Sequence, residues 1–381
     1  MYLASAPCQS SPHTTPQTTN NDFNKCFCAF SLLLLKFYTL HYTPRSRSNS
    51  GLREGLSSKT RRNLLAGLLL CTLVVLVVSV GLYFYWTNVV SLWVLSINTW
   101  GIPTAFGSKD KHIRIAGIAK LLAQGEYDVI FLQEIWMRND HEIIKQWVEG
   151  EGYHMTSYDE LSSNCDGLVT PSGCSGLAIV SRFPFEEVSF LRFKMQGSPW
   201  NMFLDGEFFA GKGLGRVMVK IVPDITIDFL VTHLVSESNY KIREAQANEL
   251  VQVVIKSQAD FVILAGDLNT APMTEVDRTY SNVVKVMADA FQEAKVDPSL
   301  WHDPHFATYG HTRNTYTNAN SHPTIFDYIF VRKSTMEPGE IWVKSFSLPA
   351  LHTLNPITQT DISISDHEAI ESQIFLWKPS S

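Results

Sequence analysis

Short apolar segments separated by polar turns fill most of the chain after residue 88. Segments of this length that are rich in β-branched and aromatic residues and bounded by turn residues predict β-strands. One of them, Phe261 to Ala265, is apolar throughout, which is typical of a strand buried on both faces. The predicted strands are 89–97, 127–133, 176–181, 186–193, 214–222, 225–233, 261–265, 326–332, 340–347 and 369–377.

Helices are predicted in three segments between these strands. From His112 to Gln124, the residues Ile115, Ile118 and Leu122 recur at helical spacing. Paired strands with only occasional helices exclude a regular βα repeat. The order predicts an α/β (α+β) four-layer sandwich, in which two packed mixed β-sheets are flanked by helices. The other two predicted helices are 139–149 and 239–256.

One apolar segment is much longer than a strand. From Leu64 to Trp86 no charged residue occurs for 23 positions, which is long enough to span a bilayer. Aromatic residues close its end, as they do at a membrane interface. A signal peptide would have a shorter apolar region that ends in small residues, and the length argues against a buried core helix. We therefore predict one N-terminal transmembrane helix at 64–86.

The charges on either side of this segment predict its orientation. Residues 1–63 contain eight Lys or Arg and two Asp or Glu, whereas no charged residue follows the span until Lys109. By the positive-inside rule, the N-terminus faces the cytosol. The domain predicted at 88–378 would then be lumenal or extracellular, on a single-pass membrane protein.

Residues 1–63 have the composition of a disordered, basic N-terminal region. Stretches 9–24 and 43–60 are rich in Ser with Thr, Gln, Asn or Arg, and no function is predicted for them. Beyond the span the cysteines are Cys165 and Cys174, which could close a disulfide in an oxidising compartment. Two free thiols are the alternative.

Five predicted strand ends carry a polar or ionisable side chain. Each one alone has a commoner structural explanation, such as a solvated glutamate or an Asx turn. Together they indicate a site, because ligands of open sheets gather at the carboxyl ends of strands. The residues are Asn98, Glu134, His233, the pair Asp267 and Asn269, and Asp366 with His367.

The side chains at these ends favour one kind of chemistry. Glu134 and Asp366 supply hard oxygen ligands, which in so small a number suit Mg²⁺. The sequence has neither the ligand spacing of a zinc site nor a Ser or Cys on a nucleophile elbow. Two histidines from different strands could act as base and acid. Metal-assisted attack by an activated water is the predicted reaction type.

As a set, these motifs resemble the endonuclease/exonuclease/phosphatase superfamily, which includes deoxyribonuclease I, over roughly residues 92–378. Within it the chain is similar to the neutral sphingomyelinases. The motifs that carry this similarity are Asn98-Thr-Trp-Gly-Ile-Pro103, Leu-Gln-Glu134, Phe208-Phe209-Ala-Gly211-Lys212-Gly213, Thr232-His233-Leu234, Arg243-Glu-Ala-Gln246, Gly-Asp267-Leu-Asn269, Asp327-Tyr and Ser-Asp366-His367.

The resemblance implies a metal site and a base. Glu134 would be the main Mg²⁺ ligand, with Asn98 and Asp366 nearby. His367 would be the general base that takes a proton from the attacking water, and Asp327 would orient its ring.

The resemblance also implies how the substrate is held. Asp267 and Asn269 would hold the water and a phosphoryl oxygen, and Lys212 would help to bind the phosphate. His233 would stabilise or protonate the departing ceramide alkoxide. The expected activity is a membrane-anchored sphingomyelin phosphodiesterase that releases ceramide and phosphocholine. Its partner would be sphingomyelin in a lipid bilayer, with no obligate protein partner evident.

Two other functions are kept as alternatives. One is a phosphodiesterase of the same fold that acts on a lysophospholipid, an inositol sphingolipid or nucleic acid. Outside residues 1–63 the formal charge is about −12, which argues against nucleic acid because phosphate contacts require Lys and Arg. The other is a catalytically inactive binding domain, which the filled catalytic positions disfavour.

Overall fold

The computed structural model of the chain has two compact units, Met1–Val75 and Leu76–Ser381. The predicted disordered stretch 9–24, residues 43–57 of the predicted stretch 43–60, Cys165 and the Phe208-Phe209 pair lie outside the residues that the structure describes. The described residues are 58–87, 89–163, 174–197, 210–222, 225–236, 240–272, 274–317, 321–333 and 339–379.

A 30-residue helix, α1, runs from Ser58 to Thr87 and covers the predicted span at 64–86. It begins earlier than predicted, inside the segment that was expected to be disordered. A search of the described part of the chain found no helix that combines the length and the apolar character needed to cross a membrane. The transmembrane assignment stays a prediction.

Most of the predicted strands and helices are present, with bounds shifted by one or two residues. The helices after α1 are α2 (Lys111–Ala123), α3 (Arg138–Gly150), α4 (Tyr240–Lys256), α5 (Thr279–Val283) and α6 (Ala290–Glu293). The strands are β1 (Val89–Asn98), β2 (Val129–Gln133), β3 (His154–Met155), β4 (Ala178–Ser181), β5 (Phe185–Arg192), β6 (Gly213–Val222), β7 (Ile225–His233), β8 (Phe261–Asp267), β9 (Ala288–Asp289), β10 (Asp327–Lys333), β11 (Glu340–Ser347), β12 (His352–Asn355), β13 (Thr360–Ser363) and β14 (Ile370–Trp377).

The strands form two six-stranded sheets and one hairpin. The first sheet has the order β11-β14-β1-β2-β4-β3, and the second has the order β5-β6-β7-β8-β10-β9. Each is mixed, because β1 and β2 are parallel in the first sheet and β7 and β8 are parallel in the second. The prediction of two mixed sheets is therefore confirmed. The β12–β13 hairpin and the short elements β3, β9, α5 and α6 were not predicted, because segments of two to five residues carry too little periodicity.

Three apolar clusters give the domain its layers. The first joins side chains of β1, β2 and β4 to those of β6, β7, β8 and β10, so it lies between the sheets. The second packs α2 and α3 on the outer side of the first sheet, and the third packs α4 and α5 on the outer side of the second. This is the predicted arrangement of two packed sheets flanked by helices.

Strand β8 lies at the centre of this sandwich, and all of its residues are buried. Its last residue, Asp267, pairs in register with His233 at the end of β7 and with Asp327 at the start of β10. In the other sheet, Asn98 at the end of β1 pairs with Gln133, next to Glu134. The pairing of the strands therefore brings residues from distant parts of the sequence to one end of the sandwich.

Candidate active site

The carboxylate of Asp267 lies at the centre of the site and is 1% exposed. Asn98 links Asp267 to Glu134 of the other sheet. Asn98 Nδ2 donates to Asp267 Oδ2 at 3.1 Å and to Glu134 Oε1 at 3.0 Å. The backbone N–H of Asn269 donates to Asp267 Oδ1 at 2.8 Å. Asp267 is thereby fixed from both sheets and from its own turn.

Two histidines approach this carboxylate from different elements. The distance from His233 Nε2 to Asp267 Oδ2 is 3.7 Å, and that from His367 Nε2 to the same oxygen is 3.9 Å. Both distances are too long for a direct hydrogen bond. The other ring nitrogen of His367, Nδ1, lies 2.9 Å from Asp327 Oδ2. With Nδ1 bonded to Asp327, the other nitrogen of the His367 ring, Nε2, is the one that faces Asp267.

Burial and neighbouring charges separate the two histidines electrostatically. Burial lowers the pKa of His233 well below its usual value, and the positive charges of Lys212 and His367 lower it further. Burial also acts to lower the pKa of His367, but the charges of Asp327 and Asp267 hold it well above the usual value. The pKa of His367 is therefore the higher of the two.

Asp267 has an unusually high pKa for a carboxyl group. Burial raises it first and the nearby charge of Asp327 raises it further, to about 7, against the opposing effects of His367 and of the hydrogen bonds from Asn269 and Asn98. Perturbed carboxyl groups of this kind cluster at functional sites.

The backbone is strained where it presents these side chains. Trp100, Glu134 and Asn269 have φ angles of 48°, 60° and 51°, in the left-handed region that residues other than glycine seldom adopt. Such strain persists only where the surroundings hold it, and it is common at active sites. Gly101 allows the close approach of two of these loops, because a Cβ atom there would lie 2.2 Å from the carbonyl oxygen of Glu134.

Two of the three predicted metal ligands, Asn98 and Glu134, are hydrogen-bonded to each other, and the charge of Glu134 acts on the third, Asp366. The Glu134 side chain is 17% exposed and bonds to Asn98. Asp366 is partly buried, and its pKa is raised to about 6, first by burial and then by the charge of Glu134. Two carboxylates that repel each other at the edge of solvent fit Mg²⁺, which binds oxygen ligands and keeps several waters.

A second group of metal-type ligands lies deeper. Among the described residues, ligand atoms of Asp267, Asp327 and His367 lie within 4.8 Å of one another, which is compact enough to hold an ion. All three are buried, and His367 already bonds to Asp327. Glu134 and Asp366 are more exposed than these three residues, which suits an ion that keeps several waters.

The structure also brings Lys212 and Asn269 to the site, through the residue that follows His233. The Lys212 ammonium and the Asn269 side-chain amide both donate to the carbonyl oxygen of Leu234, each at 3.1 Å. The Lys212 side chain is 1% exposed, and its Nζ lies 5.9 Å from the centre of the Trp136 ring. Their predicted roles in phosphate binding stay predictions.

Sequence reasoning missed Arg114, Trp136 and the carbonyl of Leu234 as parts of this site. The Trp136 indole N–H approaches Glu134 Oε2 at 3.3 Å, and Arg114 is fully buried near Asp366. Trp136 follows Glu134 by two residues, which is a signal that could have been used. A buried arginine on an amphipathic helix gives no such signal.

Two packed mixed sheets that bring two histidines and four carboxylates to one end define the deoxyribonuclease I-like class of hydrolases. The chain belongs to the Endonuclease/Exonuclease/phosphatase family, which it matches over residues 95–367.

Two curated relatives indicate where in this family the chain lies. The human protein named sphingomyelin phosphodiesterase 2 is 30% identical over 187 residues, which cover 47% of this chain and 41% of that protein. The inositol phosphosphingolipids phospholipase C of Schizosaccharomyces pombe is 25% identical over 306 residues, or 73% of this chain and 67% of that protein. The chain thus spans less than half the length of the human relative.

Solved structures share the fold at low sequence identity. Sphingomyelinase C from Streptomyces griseocarneus superposes with a TM-score of 0.52 at 17% identity, covering 74% of this chain and 99% of that one. TDP2 from D. rerio, in complex with a single-strand DNA product, superposes with a TM-score of 0.55 at 18% identity over 74% and 98% of the two chains. These similarities establish the fold and leave the substrate undecided.

Proposed function

We propose that this protein is a membrane-anchored, Mg²⁺-dependent phosphodiesterase that hydrolyses sphingomyelin to ceramide and phosphocholine. The observation that carries the proposal is the arrangement around Asp267, in which His367, bonded to Asp327, and His233 both approach the same carboxylate oxygen. This is the arrangement expected for a water attack with a base and a leaving-group partner. The substrate class is supported by the similarity to sphingomyelin phosphodiesterase 2.

In the proposed reaction, a water attacks phosphorus while the bond from phosphorus to the ceramide oxygen breaks. His367 takes the proton of the water at Nε2, since Nδ1 is occupied by Asp327. Asp267 and Asn269 position the water and a phosphoryl oxygen. His233, whose Nε2 lies 3.7 Å from Asp267 Oδ2, would stabilise or protonate the departing ceramide oxygen, which takes up one proton and leaves as the ceramide hydroxyl.

The residues proposed to hold the metal are Glu134, Asn98 and Asp366, with Mg²⁺ as the ion. A bound divalent cation would stabilise charge on the phosphoryl oxygens and, as a neighbouring positive charge, would lower the pKa of His367 toward the range in which it acts as a base. The chain itself contributes the fixed carboxylates and excludes water from the buried side of the site.

The membrane location is also part of the proposal. The predicted span at 64–86 would join β1, which begins at Val89, by only a few residues. Such a short tether would hold the site near the lipid headgroups and raise its effective concentration on the substrate. From the flanking charges, we place the domain on the lumenal or extracellular side. Protease treatment of sealed microsomes should leave the domain intact, and cleavage by external protease would contradict this orientation.

An inositol phosphosphingolipid is the second candidate substrate. The observation in its favour is the longer match to the Schizosaccharomyces pombe phospholipase C. Both lipids offer the same phosphodiester to the same site and differ in the headgroup. Nucleic acid is disfavoured by the acidic charge of the chain beyond residue 63.

A substrate panel tests the proposal. The purified protein should release phosphocholine from sphingomyelin vesicles with Mg²⁺, lose this activity with EDTA, and act slowly or not at all on inositol phosphosphingolipid, lysophospholipid and single-stranded DNA. His367→Ala should lower the rate by about 100- to 10,000-fold, the usual contribution of general acid–base catalysis. The matched control is His352→Ala, since His352 is exposed on β12. Full activity of His367→Ala would contradict the assignment of the base.

A further inference from the structure

Arg114, on helix α2, is a fully buried arginine to which the proposed mechanism gives no role. It is 0% exposed, and burial lowers its pKa from the usual value for arginine, although nearby negative charges act against this. A buried charge normally requires a partner of opposite charge. The hydrogen bonds of Arg114 to described residues all go to neutral oxygens instead.

All five N–H groups of the guanidinium have an acceptor. Nη1 donates to the carbonyl oxygens of Thr99 at 2.8 Å and Ile364 at 3.2 Å. Nη2 donates to the carbonyl oxygen of Trp100 at 2.9 Å and to Ser108 Oγ at 2.6 Å, and Nε donates to the carbonyl oxygen of Lys109 at 2.8 Å. A guanidinium has five N–H donors in a fixed plane, so its hydrogen-bonding capacity is fully used here.

Three of these acceptors lie beside the predicted metal ligands. Thr99 and Trp100 directly follow Asn98, and Ile364 lies two residues before Asp366. The third ligand, Glu134, is connected through the same loop. The N–H and the hydroxyl of Thr99 both donate to the Gln133 carbonyl, at 2.9 and 3.0 Å, and the N–H of Gly101 donates to the Glu134 carbonyl at 3.0 Å.

Two aromatic rings hold the plane of the guanidinium. Its central carbon lies 4.6 Å from the centre of the Trp100 ring and 5.7 Å from that of Tyr316. The two rings contact each other edge to face, with centroids 5.0 Å apart. Stacking of this kind suits the flat guanidinium of arginine, and lysine cannot reproduce the fork of donors.

We infer that Arg114 is a positioning residue that joins the backbone segments carrying Asn98, Glu134 and Asp366 in the arrangement that binds a divalent cation. The inference rests on the metal ligands named under the proposed function. Arg114 does not contact the metal or the substrate. It acts by keeping three segments, which are far apart in the sequence, at fixed distances.

Positioning and simple electrostatics predict opposite effects of removing Arg114. Its positive charge lies near Glu134 and Asp366, so its loss would by Coulomb's law alone strengthen the binding of a cation. Loss of positioning would weaken that binding, because the ligands would no longer be held in place. The direction of the change in metal affinity therefore separates the two effects.

The test measures the dissociation constant of Mn²⁺ and Mg²⁺ by calorimetry on the purified full chain, without substrate. Arg114→Met should weaken binding by about 10- to 100-fold, the usual effect of removing a group that orients metal ligands. The matched control is Lys111→Met on the same helix, which removes a buried cation bonded to Asp140 at 2.6 Å and should leave the affinity unchanged. Unchanged or tighter binding by Arg114→Met would overturn the inference.

Two further measurements keep the outcome clear. Arg114→Lys retains the positive charge but loses the planar set of N–H donors, so it should also bind the ion more weakly. This variant replaces Arg114→Met in the test if Arg114→Met does not fold. Adding millimolar guanidinium to Arg114→Ala should restore affinity, whereas methylammonium should not. If the wild-type chain binds neither ion, the metal assignment fails together with this inference. If the panel assay shows that the protein hydrolyses a substrate other than sphingomyelin, only the proposed substrate is overturned, and the positioning role of Arg114 is unaffected.

Discussion

At the scale of single residues, the site depends on a division between two neighbouring groups. Glu134 and Asp366 lie at the edge of solvent, whereas Asp267, Asp327 and His367 are buried behind them. Both groups contain metal-type ligands. The partly exposed pair, Glu134 and Asp366, suits the hydrated Mg²⁺ ion. The buried group suits proton transfer, because burial and neighbouring charges shift its pKa values.

Two isosteric substitutions test this division. Glu134→Gln should weaken the binding of Mg²⁺ strongly, because it removes the negative charge of the proposed main ligand. Asp327→Asn should leave Mg²⁺ affinity nearly unchanged and lower the catalytic rate by about 100- to 10,000-fold, since His367 loses the partner that orients it. Calorimetry and vesicle assays on the same preparations give the two values. The opposite result, with ion binding lost only in Asp327→Asn, would move the ion to the buried group.

Several residues of the site were foreseeable because they follow an apolar strand. Asp267, His233 and Glu134 stand where a buried segment ends, and the resemblance supplied the rest. Arg114 was not foreseeable. Its neighbours Ile115 and Ile118 predict a buried helix face. A charged residue beside such a face is expected to lie at its edge, with its side chain in solvent. Its acceptors are up to 250 positions away in the sequence.

At the scale of elements, strand β8 carries the central carboxylate of the site, Asp267. The backbone of β8 is most tightly packed at Gly266. Gly266 has φ 149°, and a Cβ atom there would lie 2.0 Å from the carbonyl oxygen of Thr232 on β7. The two strands pair in register at these residues. A side chain at this position must therefore push apart the strands that carry Asp267 and His233.

Gly266→Ala should lower the free energy of unfolding by roughly 1–3 kcal/mol or more, the usual cost of forcing extra volume into a packed core. It should also reduce activity, because Asp267 and His233 move relative to each other. Urea denaturation followed by circular dichroism gives the stability. The matched control is Gly150→Ala at the end of α3, where a Cβ atom meets nothing within 4 Å. Equal stabilities of the two variants would contradict this account of β8.

At the scale of the whole molecule, buried carboxyl groups make stability depend on pH. Burial raises the pKa of Asp289 to about 6, against the hydrogen bonds from Tyr280 and Phe291. In the unfolded chain the value is about 3.9. Between these two values the folded protein binds the proton more tightly, so the free energy of unfolding falls as pH rises from about 4 to about 6 and is then constant. The raised pKa values of Asp267 and Asp366 act in the same direction.

Asp289→Asn should therefore flatten the pH dependence of stability. The variant never carries the desolvated charge. Its one side-chain oxygen can still accept from the Phe291 N–H, while its amide nitrogen takes the place of the oxygen that accepts from Tyr280. The difference in free energy of unfolding, variant minus wild type, should be larger at pH 7 than at pH 4 by on the order of 3 kcal/mol. Urea midpoints at a series of pH values in EDTA provide the measurement. Parallel curves for the two proteins would show that Asp289 does not titrate in this range.

By itself, the sequence determined the elements and the family. Strand β8, helix α2 and the sandwich class follow from hydrophobic periodicity, which is a local property that neighbouring residues carry. Short elements such as β9 and the β12–β13 hairpin show too little hydrophobic periodicity to be predicted. The motifs at the strand ends were visible for the same reason, because each lies within a few residues of the apolar segment that ends there.

Only the tertiary structure decided how those strand ends meet. The pairing of Asp267 with both His233 and Asp327 depends on the register of three strands. Arg114 donates hydrogen bonds both to the segment that follows Asn98 and to the segment that precedes Asp366, and these segments are remote from each other in the chain. Such contacts form when non-local packing brings backbones together, and no local pattern in the sequence encodes them.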